Sequence, residues 1–316
     1  MKMFRLFDLI KLSMCSLKTR KWIKALRIHR KELNIRVVFR ESDGVNIVNE
    51  PANECVWLRA TPLSMEMEHS VKLENSAIPM CYGNQGTEYY MDLYFDDKIH
   101  GFKVITEFIC SLFRKDVSKV YLLSSLNPSD PQKIMEWVIG RQKSIQSFHI
   151  QCENTSDTVA EYLLDNVNHA NKAFIDLKLT TNFKANFKFD GERFDILQGL
   201  WFTLDNLMSI NCCILFVKGS RLTSKEINTF LKHWMSNDLK FGNIFIEMDA
   251  FNLEMFDEIP VIKRSNDVKR IMDQTLAVDG GFDIKRNDGV TATIVYNETF
   301  IRFKTFCMIV WDNLSV

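Results

Sequence analysis

The sequence predicts an α/β fold in four parts: a short N-terminal helical segment, a small antiparallel sheet, a curved array of helix–strand units and a C-terminal β-meander. Three observations predict it. Helical stripes alternate with short strand patterns at intervals of about thirty residues through the middle of the chain. Hairpin turn signals follow that array. The first forty residues interleave basic and apolar positions at helical spacing.

That first segment holds twelve Lys/Arg against Asp8 and Glu32, a net +10 in a chain whose 40 basic and 40 acidic residues cancel. Phe7, Ile10, Met14 and Leu17, then Trp22, Ile23 and Leu26, form its apolar stripe. An amphipathic basic segment before an acidic body suggests a docking element attached to a separate module. A mitochondrial presequence is disfavoured by Trp22, Cys15 and the direct run into a strand at 35–39. Nucleic-acid binding is not expected, because no RNA-binding aromatic signature or helix-turn-helix spacing accompanies the charge.

Residues 34–100 read as a small β-rich connecting region, with short strands at 35–39, 45–48, 55–60, 71–73 and 89–94. Asp43-Gly44, Pro51 and the run Gly83-Asn84-Gln85-Gly86 separate them.

From about residue 101 to 250, Ile105, Phe108, Ile109 and Leu112 make one helical stripe before a strand around Val120. Ser129-Asp130-Pro131 opens the next helix, with Ile134, Trp137 and Val138, before a strand around Phe148. Ser156 or Asp157 opens a third, with Ala160, Leu163, Leu164 and Val167, before Ile175. A longer helical stretch is expected over 192–207, feeding a strand at 210–217. Thr223-Ser224-Lys225-Glu226 is a capping box for the stripe Ile227, Phe230, Leu231 and Trp234, before Ile244. Strands at Val120, Phe148, Ile175, Cys213 and Ile244 suit a leucine-rich-repeat-like α/β solenoid, although the Asn/Cys ladder of that repeat is missing. A doubly wound domain is disfavoured by the lack of a glycine-rich turn after the first strand. Strands at 282–286, 290–296 and 299–311 close the chain, about 280–312. Asp288-Gly289 is expected as a type I′ turn and Asn297-Glu298 as a second turn.

Twelve glycines and six prolines are few, which argues against long linkers. The eight cysteines show no repeated spacing, and Cys110, Cys213 and Cys307 sit in apolar runs as buried thiols do. The apolar residues near the start are broken by Arg5, Asp8 and Lys11, so no signal peptide is read, and no run is long enough to span a bilayer. The expectation is a protein of the cytoplasm or nucleus. No nucleotide-binding, zinc-protease, C-x-x-C or nucleophile-elbow motif occurs. His233 between Lys232 and Trp234, the Cys212-Cys213 pair, and the acid pairs Asp96-Asp97 and Asp257-Glu258 all read as packing or solvated positions. No enzyme activity, cofactor or metal is expected.

Three blocks carry a resemblance. The run from Phe4 to Lys21, FRLFDLIKLSMCSLKTRK, resembles the second half of the F-box found in a large nematode family. The run from Leu222 to Trp234, LTSKEINTFLKHW, and the run from Gly280 to Ile294, GGFDIKRNDGVTATI, are similar to two blocks of the F-box associated domain, type 2; Val310-Trp311 is similar to its closing residues. The resemblance implies a partial F-box over residues 1–33 and an associated domain over 101–316. It further implies a non-catalytic substrate-recognition subunit of a Skp/cullin/F-box ubiquitin ligase. Its partners would be a Skp-type adaptor and an unknown target protein. Leu6, Phe7, Ile10, Met14 and Leu17 would then meet the adaptor. The first F-box helix has no counterpart in this sequence, so the alternative is an interaction scaffold that has lost adaptor binding.

Overall fold

The computed structural model describes residues 5–25, 32–40, 44–62, 69–73, 76–86, 88–123, 127–180, 182–248, 250–271, 277–296 and 305–311. The chain divides into two compact units, Met1–Gln151 and Cys152–Val316. Each is a mixed α/β structure in which strands dominate.

The first unit begins with α1 (Leu6–Cys15) and α2 (Leu17–Ala25). Ser16 separates them in extended backbone, and its Oγ accepts from the Thr19 N–H at 3.0 Å, which starts α2. Six strands follow: β1 (Leu33–Phe39), β2 (Gly44–Asn49), β3 (Glu54–Pro62), β4 (Ser70–Leu73), β5 (Ser76–Gln85) and β6 (Glu88–Phe95). Then come α3 (Lys98–Phe113), β7 (Lys119–Leu123), α4 (Asp130–Arg141) and β8 (Ile145–Cys152). Their sheet order is β8-β7-β1-β2-β3-β6-β5-β4.

This sheet is not the self-contained antiparallel one that the sequence suggests. β3 pairs parallel with β6, and β1 pairs parallel with β7, which itself pairs parallel with β8. A parallel pair needs a crossover, and the β4–β5 hairpin supplies the one from β3 to β6. β5 occupies much of the stretch read as a break, because only Gly86 takes positive φ (+61°) there. The expected domain boundary near residue 100 runs through α3, which packs on β2, β3 and β6.

Asp97 caps α3 by accepting from the His100 N–H at 3.0 Å, and Arg114 ends the helix in the left-handed region (φ 49°). Pro131 stands in the first turn of α4, as expected. Ser129 precedes it but does not cap it; its hydroxyl donates instead to Asn127 Oδ1 at 3.0 Å. The core lies between sheet and helices: Ile35, Val37, Val45, Leu58, Leu93, Val120 and Phe148 against Phe102, Ile105 and Ile134, all 0% exposed.

The second unit holds α5 (Asp157–Asp165), β9 (Ala170–Leu177), β10 (Arg193–Ile196), α6 (Leu204–Ser209), β11 (Ile214–Val217), α7 (Ser224–Ser236) and β12 (Asn243–Glu247). β13 (Ile262–Ile271), β14 (Ala277–Lys285), β15 (Thr291–Tyr296) and β16 (Thr305–Trp311) complete it. The order is β9-β10-β11-β12-β16-β15-β14-β13, with the first four strands parallel and in chain order.

The helix expected over 192–207 is not formed. In its place stand β10 and the six-residue α6. Phe194 and Ile196 alternate with Arg193 and Asp195, a period of two that fits a strand between β9 and β11. The long interval from Ile175 to Cys213 therefore spans two steps: Ile175 pairs with Ile196, and Ile196 pairs with Val217. The crossovers do not repeat as one unit, since α7 has 13 residues, α6 has 6 and no helix joins β9 to β10. The parallel strands are real; a uniform repeat is not what they form.

Thr223 and Glu226 form the capping box read from the sequence: Thr223 Oγ1 accepts from the Glu226 N–H, and a Glu226 carboxylate oxygen accepts from the Thr223 N–H at 2.8 Å. Asp288-Gly289 does turn a hairpin, but only Gly289 has positive φ (+98°), so the turn is not type I′. Gly289 N–H donates to the Arg286 carbonyl and Arg286 N–H donates to the Val290 carbonyl. This is a three-residue loop closed by a left-handed glycine. The expected turn at Asn297-Glu298 lies outside the described residues. β13 was not foreseen: most of its residues are exposed, so it carries no buried alternation.

Candidate docking surfaces

In the first unit α1 packs on β3 and β4, and α3 on β2, β3 and β6. Phe102 of α3 meets Phe39 of β1 and Trp137 of α4, at 5.8 and 6.1 Å between ring centroids. Phe7 of α1 lies against Tyr82 and Tyr89, which alternate with the helix-free positions of β5 and β6. All four helices thus share one face, and the opposite face carries none of them.

Strand register arranges that opposite face in rows. One row runs Ser147, Lys119, Arg36, Asn46, Trp57 and Tyr90; the next runs His149, Tyr121, Val38, Gly44, Arg59 and Asp92. Arg59 grips Asp92 through two nitrogens, with Nη2 to Oδ2 at 2.8 Å, and lies over the Tyr90 ring at 4.5 Å. Glycine at 83 makes room for Tyr90, since a Cβ there would stand 2.6 Å from its hydroxyl. Tyr121 and His149 stack at 4.4 Å with planes 13° apart. Burial, and the nearby cations Lys119 and Arg36, hold the His149 pKa below its usual value. Trp, Tyr and Arg are the side chains on which protein interfaces concentrate their energy.

In the second unit, right-handed crossovers between parallel strands in chain order fall on one face of the sheet. The other face carries Phe174, Asp195, Phe216 and Phe245 as cross-strand neighbours, continued by Cys307 and Val295. Arg193 Nε donates to both Asp195 oxygens at 3.1 and 2.9 Å. Burial among the phenylalanines nevertheless raises the Asp195 pKa. This is an apolar stripe with one acid set into it.

The residues expected to meet an adaptor are divided by the fold. Leu6, Phe7, Ile10 and Met14 are buried, and Ile10 is 0% exposed. Phe7 stacks on Tyr89, Leu6 N–H donates to Glu54 at 3.3 Å, and Met14 lines a 310 Å³ cleft with Lys11, Val71 and Lys72. Leu17 is 70% exposed, and Trp22, on the next helix, is 52% exposed. The sequence pattern showed the apolar stripe but not which surface covers it.

Cys212 is buried and Cys213 exposed, so Cys213 is not the buried thiol expected, whereas Cys110 and Cys307 are. Burial pushes the Cys110, Cys212 and Cys307 thiols up to about 12, far from a reactive thiolate. None of the eight cysteines is disulfide-bonded. His233 is bonded by Asn237, one turn on. Asp97 serves as a cap, and Glu258 pairs with Lys232. Among the described residues no three His, Cys, Asp or Glu side chains converge as a metal site, and no helix is long and apolar enough to cross a membrane.

Uncharacterized protein F59B2.9 from Caenorhabditis elegans is 22% identical over 161 residues, covering 48% of this chain and 38% of that protein. The chain therefore spans well under half the length of this curated relative. No solved structure matches. A protein-family model described as F-box associated matches residues 178–240, a segment that contains β10, β11, the Asp195 and Phe216 positions of the apolar stripe, and the capped helix α7.

Proposed function

We propose that this chain is a non-catalytic substrate-recognition subunit of a Skp/cullin/F-box ubiquitin ligase, with no cofactor. Its target is a protein held on the helix-free sheet face of the second unit. The observation that carries this reading is the coincidence of the F-box associated segment with strands bearing Asp195 and Phe216. Half-exposed aromatic side chains on a rigid sheet supply contact area with little conformational entropy to lose. The charged N-terminal segment would dock the Skp-type adaptor, with its basic rim steering toward an acidic partner.

Adaptor binding on this reading uses Leu17 and Trp22, the large apolar side chains that α1 and α2 leave exposed, and the cleft beside Met14. The experiment is a pull-down of purified adaptor by the full chain. Capture that is lost in Leu17→Asp and Trp22→Asp, with melting temperature unchanged, supports it. No complex with the folded wild-type protein sinks it.

One observation favours a second reading, an interaction scaffold without adaptor binding. Four of the five stripe residues of α1 and its continuation are already covered by the chain's own sheet. On that reading target capture persists while the adaptor pull-down stays empty.

A further inference from the structure

The helix-free face of the first unit contains an arrangement that neither the aromatic rows nor the family match accounts for. Ser147 on β8, Lys119 on β7 and Arg36 on β1 form one cross-strand row, with Lys119 paired to Ser147 on one side and to Arg36 on the other. Ser147 is 5% exposed, and its hydroxyl has no hydrogen-bond partner. Arg36 Nε is buried and has no partner either. A buried donor left unmade costs free energy, so native folds rarely keep two of them beside one lysine. What these groups share is polarity: a hydroxyl able to donate, a guanidinium N–H and an ammonium.

The surrounding charge has the same sense. Lys119 on the neighbouring β7 and Arg36 one strand farther, on β1, both act on the His149 ring. The acid that Arg36 does engage, Glu50, takes its Nη2 at 3.2 Å and is 60% exposed, so it leaves Nε unused. Farther along the same face Asp92 is committed to Arg59.

We propose that Ser147, Lys119 and Arg36 form a receptor for a single anionic group, a carboxylate or a phosphoryl group, carried on an extended segment of a partner protein. The anion would accept from Ser147 Oγ and Arg36 Nε, with the Lys119 ammonium as counter-ion. The stacked Tyr121 and His149 rings would form a flat wall in the next row. A protein segment fits better than a nucleic acid. The donors occupy a single short row across three strands, and Glu50 and Asp92 on the same face repel an evenly spaced polyanion.

The test uses the full chain and three fluorescent peptides of one sequence, with Gln, Glu or phosphoserine at the central position, read by anisotropy at low salt. Binding of the Glu or phosphoserine peptide about tenfold or more tighter than the Gln peptide is expected. Lys119→Gln should erase that difference, and Ser147→Ala should reduce it. Phe216→Asp on the other unit's face should leave it unchanged, which separates this site from the target surface proposed above. Preference for only one of the two anions identifies the source and still supports the receptor. Equal binding of all three peptides overturns it. So does a difference that survives Lys119→Gln in a protein with the wild-type melting temperature. Tighter, Lys119-dependent binding of a single-stranded oligonucleotide overturns the assignment to a protein partner.

Discussion

Phe7 of α1 stacks on Tyr89 of β6 with ring centroids 4.8 Å apart and planes 19° apart. Arg5 donates to the same tyrosine's hydroxyl, and Lys11 stands 3.7 Å from the Tyr82 ring centre. α1 is therefore fastened to the sheet by aromatic and cation contacts as well as by its aliphatic stripe.

It follows that Ile10→Asp, which buries an unpaired carboxylate at a fully covered position, should destabilise the first unit by roughly 3 kcal/mol or more. Leu17→Asp, at a 70% exposed position, should stay within about 0.5 kcal/mol. Urea unfolding followed by circular dichroism distinguishes them. Equal midpoints for the two variants would contradict the packing of α1.

Removal of the Thr223 side chain in Thr223→Ala deletes both the oxygen that accepts from Glu226 N–H and the hydroxyl that holds the Glu226 carboxylate. A loss of about 1 kcal/mol is expected, seen as a lower melting temperature. Thr223→Ser should recover most of it.

The Asp283 carboxylate is 3% exposed and receives bonds from Arg270, Thr293 and Arg264, with Trp311 Nε1 donating to Thr293 behind it. Burial pushes its pKa up, but the three donors outweigh burial and hold it below the ordinary value. A depressed folded pKa means that this stabilisation is complete above the unfolded aspartate pKa and fades as pH falls through the folded one. Asp283→Asn should thus flatten the acid limb of the stability profile, measured by urea midpoints from pH 6 downward. An unchanged limb would refute the sign.

Gly191 lies where an added Cβ would stand 2.5 Å from the Asn171 carbonyl oxygen and 2.6 Å from the Phe189 ring. Backbone cannot yield as a flexible side chain can. Gly191→Ala should cost on the order of 1–3 kcal/mol by forcing β10 away from β9. Thermal unfolding checks it, with Gly140→Ala, which meets nothing within 4 Å, as the control.

Thiol labelling of the native protein should modify Cys15 and Cys213 first and Cys55 and Cys81 more slowly. Cys110, Cys152, Cys212 and Cys307 should be reached only in denaturant. Mass spectrometry of a maleimide time course gives the order.

The helices with a full stripe and a cap were legible. Thr223–Glu226 and Ser156 announced α7 and α5 because capping chemistry is local and leaves its residues in sequence. β10 was not, since four residues give only two turns of alternation, and Gly191 and Gly199 at its flanks look like loop residues. β13 was hidden for a different reason. Its neighbours on one side are hydrogen bonds to β14, which leave no hydrophobic trace. The parallel pairing of β3 with β6 was equally invisible, because strand direction depends on tertiary context. As to the candidate surfaces, the apolar stripe of α1 was plain from spacing, but its burial was decided by Tyr82 and Tyr89, some eighty residues away. The helix-free rows could not be read without register. Ser147, Lys119 and Arg36 become neighbours only when β8, β7 and β1 align.

β16 follows every other described strand in sequence yet lies inside its sheet, between β12 and β15. On the edge away from β11, Asn243 is paired by Ile309 and Glu247 by Thr305. During synthesis, β12 must therefore wait with an open edge of unpaired N–H and C=O groups until residues 305–309 emerge, a span in which chaperones have something to hold. A frameshift or stop codon upstream of Thr305 would leave that edge permanently unpaired, so late truncations should be as aggregation-prone as core lesions.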